Sequence, residues 1–288
     1  MCDRSRNRRV INNMQKVTSK DGTEIAFEKS GNGPALIIVG GSLADHQFYA
    51  PLADELAKQF MVYNFDRRGR GETGDHGAYA VDGEIEDVAA LIDLAKVPIY
   101  MYGHSAGSAL ALKAAASGLI ITKLALADPP FTPRGKNIEE AKTEFAEEVR
   151  RINELHNKGD HRSSVKFFLG GMRLSDEDIE GILESPAGEA MIYSARALPY
   201  DYALLGDGIV PINLAAKVKV PTVIFAHKAM PETAHALTDV MSNASFQGLE
   251  VSAHETPPAD MAEKLTRFFH SAVKGEKNHD NKNQSRNL

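Results

Sequence analysis

The chain has 288 residues, of which 43% are hydrophobic and 25% charged, so it is long enough to bury one large core or two smaller ones. Its 39 acidic residues outnumber its 33 lysines and arginines. The resulting formal charge of -6 is opposite in sign to that of proteins that depend on phosphate contacts, so we expect no nucleic-acid partner. Cys2 is the only cysteine, which excludes a disulfide framework and a cysteine zinc site.

The two ends of the chain are polar. The first nine residues include four arginines but lack the apolar stretch of a secretory signal. No run approaches the roughly 18 apolar residues of a membrane span, so we expect a cytoplasmic protein with no membrane partner. The composition predicts flexible termini at residues 1–14 and 274–288.

Between the termini, apolar runs of strand length alternate with helical patterns. A hairpin is predicted first, from residues 16–19 and 24–29 around Asp21-Gly22. Runs that are apolar at consecutive positions follow at 35–39, 98–102, 123–127 and 222–226, as is typical of central strands covered on both faces. Amphipathic helical stripes separate them. The alternation predicts an α/β fold with a mostly parallel central sheet flanked by helices.

One segment interrupts the alternation. From about residue 132 to residue 205 the strand signal vanishes, and helical spacing takes over, for example at Phe145, Val149, Ile152 and Leu155. Because this segment lies between two central strands, we expect it to sit above the sheet as a cap. We therefore predict an α/β core of residues 15–130 and 206–273 with an inserted helical cap of residues 131–205.

The most specific motif is Gly103-His104-Ser105-Ala106-Gly107, which follows an apolar strand and leads directly into a helix. In this context G-x-S-x-G predicts a sharp turn that lifts the Ser105 hydroxyl above the sheet and leaves the Ala106 amide at the start of a helix, where the dipole favours an anion. Ser105 is therefore the candidate nucleophile. His104 adjoins it but is expected to point away.

With this motif the chain resembles the α/β-hydrolase family, in particular small capped bacterial members, over nearly its whole length. The resemblance implies a sheet of about eight strands. It rests also on two further motifs, Gly40-Gly41-Ser42-Leu43 after one strand and Asp66-Arg67-Arg68-Gly69-Arg70-Gly71 after the next. The family comparison favours a structural role for the second motif, as a turn tied together by charge-assisted hydrogen bonds.

The resemblance also implies the remaining catalytic groups. The backbone amides of Ser42 and Ala106 would hold the oxyanion, although Gly40 stands where many relatives carry a histidine. The catalytic base follows the last strand in this family, and His254 matches that position. No spacing among the ten histidines indicates a metal site.

The acid of the triad departs from the family pattern, because Ala229 stands where most relatives carry aspartate. Three alternatives stay open: the acid comes from elsewhere, the enzyme works with a dyad, or the protein has lost hydrolysis. We favour Asp128, which follows the neighbouring strand, with Glu232 as a distant second. Asp128-Pro129 would also suit a simple turn into the cap.

We therefore expect a serine hydrolase that cleaves an ester, lactone or related acyl bond of a small to medium apolar molecule, without cofactor or metal. Two alternatives stay open: a lyase, C–C hydrolase or acyltransferase on the same fold, and a non-catalytic ligand-binding pseudo-hydrolase. The oligomeric state is open between monomer and homodimer. Substrate contacts are predicted at Gly41, Phe48, Phe131 and Met230.

Overall fold

A computed structural model describes residues 14–272 except 77, 134, 136 and 173. The predicted flexible termini therefore lie outside the described residues, except Met14, which begins the first strand instead. Among the helices that are described, none combines the length and apolar character needed to cross a membrane.

An eight-stranded sheet forms the centre of the molecule, in the order β1-β2-β4-β3-β5-β6-β7-β8. The first two strands form the predicted antiparallel hairpin, β2 also pairs antiparallel with β4, and every other pairing is parallel. The predicted fold class is thus confirmed. The strands are β1 (Met14–Thr18), β2 (Glu24–Ser30), β3 (Ala35–Val39), β4 (Met61–Phe65), β5 (Ile99–His104), β6 (Ile121–Ala127), β7 (Thr222–His227) and β8 (Ala244–Leu249).

Helices cover both faces of the sheet, which is why the central strands are apolar at every position. Leu56 and Leu265 belong to the core on one face, whereas Val88 and Leu110 belong to the core on the other. The helices that supply these residues are α1 (His46–Leu56), α11 (Pro258–His270), α2 (Val81–Ala95) and α3 (Ala106–Ala116). Two short helices, α9 (Ile212–Ala215) and α10 (Glu232–Thr238), flank β7 in sequence.

Five helices of the described chain lie between β6 and α9, where the sequence predicts the cap. They are α4 (Ile138–Asn157), α5 (His161–Gly171), α6 (Asp176–Leu183), α7 (Pro186–Ser194) and α8 (Leu198–Leu205), with a short 3₁₀ turn at Ala195–Ala197. These helices have an apolar core of their own, which includes Ile152 and Leu198 and which Leu43, from the loop after β3, joins. The helical segment therefore packs on the loop that leaves the sheet at β3. The domain boundaries themselves stay a prediction.

Buried ion pairs tie down the arginine-rich turn after β4. Arg67 donates to both carboxylate oxygens of Glu84, at 2.7 and 2.9 Å, and to Asp201 on α8 at 2.8 Å. Arg70 donates to the same oxygen of Asp201 at 2.7 Å. The predicted turn with charge-assisted hydrogen bonds is confirmed, and it also links the sheet to helix α8.

Candidate functional site

Ser105 lies at the junction of β5 and α3 in a strained backbone conformation. Its φ is +53°, a region that L residues rarely adopt, and its N–H donates to the carbonyl of Ala127 at 2.8 Å. Gly107 is required because a Cβ there would lie 2.1 Å from the carbonyl oxygen of Val39. Gly103 is required for the same reason, since its Cβ would come within 2.6 Å of the Gly107 carbonyl oxygen. The two glycines of the motif therefore make the tight turn possible.

A cavity of about 1410 Å³ opens between this turn and the helical segment. Ser105 lines it together with Ser42, Ala106, Asp128 and His254. All five predicted catalytic and oxyanion residues therefore face one space. The opposite wall comes from the helical segment and is partly aromatic or aliphatic, with Phe145, Phe167, Phe168, Met172, Tyr202 and Leu205.

Tyr49 of helix α1 fixes the loop that carries Ser42. The Gly41 N–H donates to the Tyr49 hydroxyl at 2.8 Å, and the same hydroxyl lies 2.9 Å from Nδ1 of His104. A Cβ on Gly40 would come within 2.8 Å of the Tyr49 ring, so the ring fills the space beside this glycine. Burial raises the pKa of Tyr49, which keeps its hydroxyl protonated. The loop is thus held in place although Gly40 carries no side chain.

Asp128 directly follows β6 with a φ of +44°. Its Oδ2 accepts the backbone N–H of Ala253 at 2.6 Å, and the backbone of His254 also bonds to this carboxyl group. Burial raises the pKa of Asp128, and these backbone bonds and the nearby imidazole oppose that rise. The carboxylate therefore binds the backbone of the loop that carries His254. An oxygen of Asp128 and a ring nitrogen of His254 lie within 4.8 Å of each other.

Two histidine rings meet beside the nucleophile. The centroids of His104 and His254 are 4.2 Å apart, and the rings are inclined by 55°. Partial desolvation of the ring at the cavity wall lowers the pKa of His254, while Asp128 raises it in part, and the net shift is downward. His104 is 3% exposed, and its pKa lies well below the usual value because of burial and the neighbouring His254. A neutral His254 has a lone pair with which to accept a proton.

The predicted substrate contacts are placed differently. Phe131 is 5% exposed and belongs to the core beneath the sheet, Met230 is 67% exposed on the surface, and neither lines the large cavity. Phe48 lines a separate pocket of about 130 Å³ behind His254. Gly41 lies next to Ser105 but turns its N–H towards Tyr49 rather than the cavity. The structure therefore does not bring these four residues together in the wall of the large cavity, and substrate contact at each of them stays a prediction.

The sequence reasoning missed two residues at the site. Tyr49 lies within an amphipathic helix stripe and has no motif of its own, so only the fold reveals its contact with Gly41. Asp201 lines the cavity and pairs with arginines more than 130 positions away in the chain. The sequence does indicate Asp201 in one way, because it is a charged residue within the mostly apolar stretch Leu198–Leu205.

Comparisons with known proteins are consistent with this geometry. The model of the Alpha/beta hydrolase family matches residues 35–267. N-formylmaleamate deformylase from Pseudomonas putida is 34% identical over 112 residues, covering 37% of this chain and only 41% of that protein. 3-oxoadipate enol-lactonase 1 from Acinetobacter baylyi is 24% identical over 269 residues, covering 90% of this chain and 96% of that protein. A crystal structure of an alpha/beta hydrolase from Sphaerobacter thermophilus is similar with a TM-score of 0.76 and 38% identity, covering 88% of this chain and 100% of that chain.

Proposed function

Since the chain belongs to the alpha/beta hydrolase family, we propose that it is a serine hydrolase that cleaves an ester, lactone or related acyl bond of a small to medium apolar substrate. The observation that carries the proposal is the cavity that Ser105 shares with His254, Ser42 and Ala106. The names of the relatives, a deformylase and an enol-lactonase, support hydrolysis of a carbonyl compound.

In the proposed reaction the Ser105 hydroxyl attacks the carbonyl carbon while His254 removes its proton. The amides of Ser42 and Ala106 donate to the oxyanion of the tetrahedral intermediate. The intermediate collapses to an acyl-enzyme as the protonated His254 gives its proton to the leaving oxygen. Water then attacks the acyl-enzyme with His254 again as base, which releases the acid and restores the serine.

We assign to Asp128 the role of the missing acid. Its bonds to the backbone of Ala253 and His254 support this assignment, because they fix the loop from which the imidazole projects. Its charge lies within 4.8 Å of the ring nitrogen of His254 and stabilises the imidazolium that forms during attack. Ala229 supplies no carboxylate, and Glu232 is not among the residues that line the cavity.

The cavity wall supports an apolar acyl or leaving group. Phe145, Phe167, Phe168 and Leu205 offer surface that a small hydrophobic substrate would bury. A first panel of substrates follows from this wall and from the relatives: p-nitrophenyl acetate and butyrate, a γ-lactone, an N-formyl amide and a β-diketone.

The test combines turnover with labelling of the nucleophile. We expect the wild type to hydrolyse at least one ester or lactone and to form one fluorophosphonate adduct at Ser105, as shown by mass spectrometry of peptides. Ser105→Ala is expected to lose the adduct and at least about 10³-fold in rate. The matched control is Ser117→Ala, at the far end of the same helix, which should keep both.

Each other outcome has a distinct meaning. A wild type without turnover and without adduct would contradict the proposal and favour a ligand-binding protein. Cleavage of the β-diketone without ester turnover would favour a C–C hydrolase. An adduct that persists in Ser105→Ala would show that another residue is the nucleophile.

A further inference from the structure

A cluster of three ligand-forming side chains lies beside the nucleophile. His104, Asp128 and His254 each offer one nitrogen or oxygen atom, and these atoms all lie within 4.8 Å of one another. We propose that these three residues form a binding site for a divalent transition-metal ion of the Zn²⁺ type, and that the bound ion inhibits the enzyme by occupying His254. Only the inhibition rests on the proposed function; the binding does not.

His104 supplies the observation that points to a ligand. Its side chain is 97% buried, yet within the described part of the chain its Nε2 has no hydrogen-bond partner. Leaving a buried polar atom unpaired costs about 1–3 kcal/mol, so an unpaired nitrogen at this depth points to a missing partner. His254, whose ring lies 4.2 Å away, is exposed, so an ion can approach from the cavity side.

The other nitrogen of His104 is arranged as in metal-binding histidines. Nδ1 lies 2.9 Å from the Tyr49 hydroxyl, which can accept an N–H from this ring as well as from Gly41. Metal-ligating histidines usually donate their second N–H to such a partner, which orients the ring and fixes the tautomer. With Nδ1 protonated, the lone pair of Nε2 is free for a metal.

The donor set fits zinc better than magnesium or calcium. Two imidazole nitrogens and one carboxylate oxygen are a common zinc set, and they leave a fourth position open. Magnesium and calcium prefer oxygen ligands only.

The distances require a small adjustment. Bonds of about 2.0–2.2 Å in a tetrahedron place the donors about 3.4 Å apart, so no pair of these atoms, all within 4.8 Å of one another, has to approach by more than about 1.4 Å. The side chain of His254 is exposed, so its ring can turn towards the ion while the Asp128 bonds keep the backbone of its loop in place.

Occupancy of this site would block the proposed catalysis directly. The nitrogen lone pair of His254 that bonds to the ion cannot accept the proton of Ser105. Asp128 would at the same time be drawn from the imidazole to the ion. We therefore expect zinc to inhibit turnover reversibly, with activity restored by EDTA.

Binding is measured by isothermal titration of the full chain with zinc chloride. We expect one strong site in the wild type and no binding of magnesium chloride. His254→Ala and His104→Gln are each expected to weaken zinc binding by more than about 10-fold. Replacing a residue that only hydrogen-bonds to a metal ligand already costs about that much affinity, and replacing a ligand itself should cost more. Because His254 lies on an exposed loop, its variant tests the site even where His104→Gln fails to fold.

The matched control is His161→Gln. His161 and His156 form the other close histidine pair among the described residues, with ring centroids 6.0 Å apart on the helical segment. This variant should bind zinc like the wild type. Unchanged binding in His254→Ala, or loss of binding in His161→Gln, would overturn the proposed site.

The two proposals fail separately. Zinc binding that His254→Ala abolishes, in a protein without esterase or lactonase turnover, would support the metal site and contradict the hydrolase. Turnover that depends on Ser105, in a protein that binds no zinc, would do the reverse. Inhibition by zinc that persists in His104→Gln with unchanged potency would overturn the three-residue site even if the wild type binds the ion.

Discussion

Replacing Tyr49 with phenylalanine removes one hydroxyl while keeping the ring that fills the space beside Gly40. In the wild type this hydroxyl accepts the Gly41 N–H at 2.8 Å and lies 2.9 Å from Nδ1 of His104. The substitution leaves the Gly41 N–H and Nδ1 of His104 without this partner, and each unpaired buried group costs about 1–3 kcal/mol of stability. We therefore expect Tyr49→Phe to lower the free energy of unfolding by at least about 2 kcal/mol. This corresponds to about 3 °C in Tm, because a chain of 288 residues has an unfolding entropy of about 0.6 kcal/mol/K.

The same substitution should affect kcat more than KM. The Gly41 bond holds the loop that carries the Ser42 amide, and a looser amide stabilises the oxyanion less than it did before. The matched control is Tyr63→Phe, because within the described part of the chain the hydroxyl of this buried tyrosine donates only to the Sδ atom of Met61, at 3.4 Å. Thermal unfolding and steady-state kinetics on a p-nitrophenyl ester measure both effects. Equal Tm shifts and equal kcat values in the two variants would refute the reasoning.

Two further predictions concern carboxylates that line the cavity. Asp128→Asn removes the charge that raises the pKa of His254, so the acid limb of the pH profile of kcat/KM should move to lower pH. The plateau of the same profile should fall by up to about 10⁴-fold. A pH profile and rate equal to those of the wild type would mean that Asp128 only holds the loop backbone. Asp201→Ala leaves the charges of Arg67 and Arg70 without this partner, and we expect a loss of about 3–5 kcal/mol in unfolding free energy. Denaturant unfolding measures that loss, and a change below about 1 kcal/mol would show that the network relaxes around other partners.

The central architecture could be predicted because its signals are local. Strand β3 was predicted with its observed bounds, since five consecutive apolar residues between turn residues are too few for a helix and match a strand covered on both faces. The nucleophile turn could be predicted for the same reason, because two steric requirements fix two glycines at a set spacing. In both cases the information lies within a few neighbouring residues.

The parts that could not be predicted depend on contacts between distant segments. The side chain of Tyr49 could have packed in the core like its neighbours in helix α1, and nothing nearby in sequence indicates its bond to Gly41. Phe131 is predicted to line the pocket because it lies in the predicted cap, yet the chain turns after Pro129 and Pro130 and places its ring in the core. Side-chain direction after a turn depends on tertiary packing, which periodicity does not encode.

The bonds of Asp201 constrain how a substrate enters. The Asp201 carboxylate on helix α8 pairs with the guanidinium groups of Arg67 and Arg70, and all three groups are almost fully buried. If the whole helical segment moved away as one lid, it would leave these buried charges without partners. We therefore expect a substrate to enter past α4 and α5, whose described residues border the cavity and form no ion pair with the arginine-rich turn. Hydrogen exchange tests this directly: amides of α8 should exchange more slowly than those of α4, and the opposite order would mean that the anchor yields first.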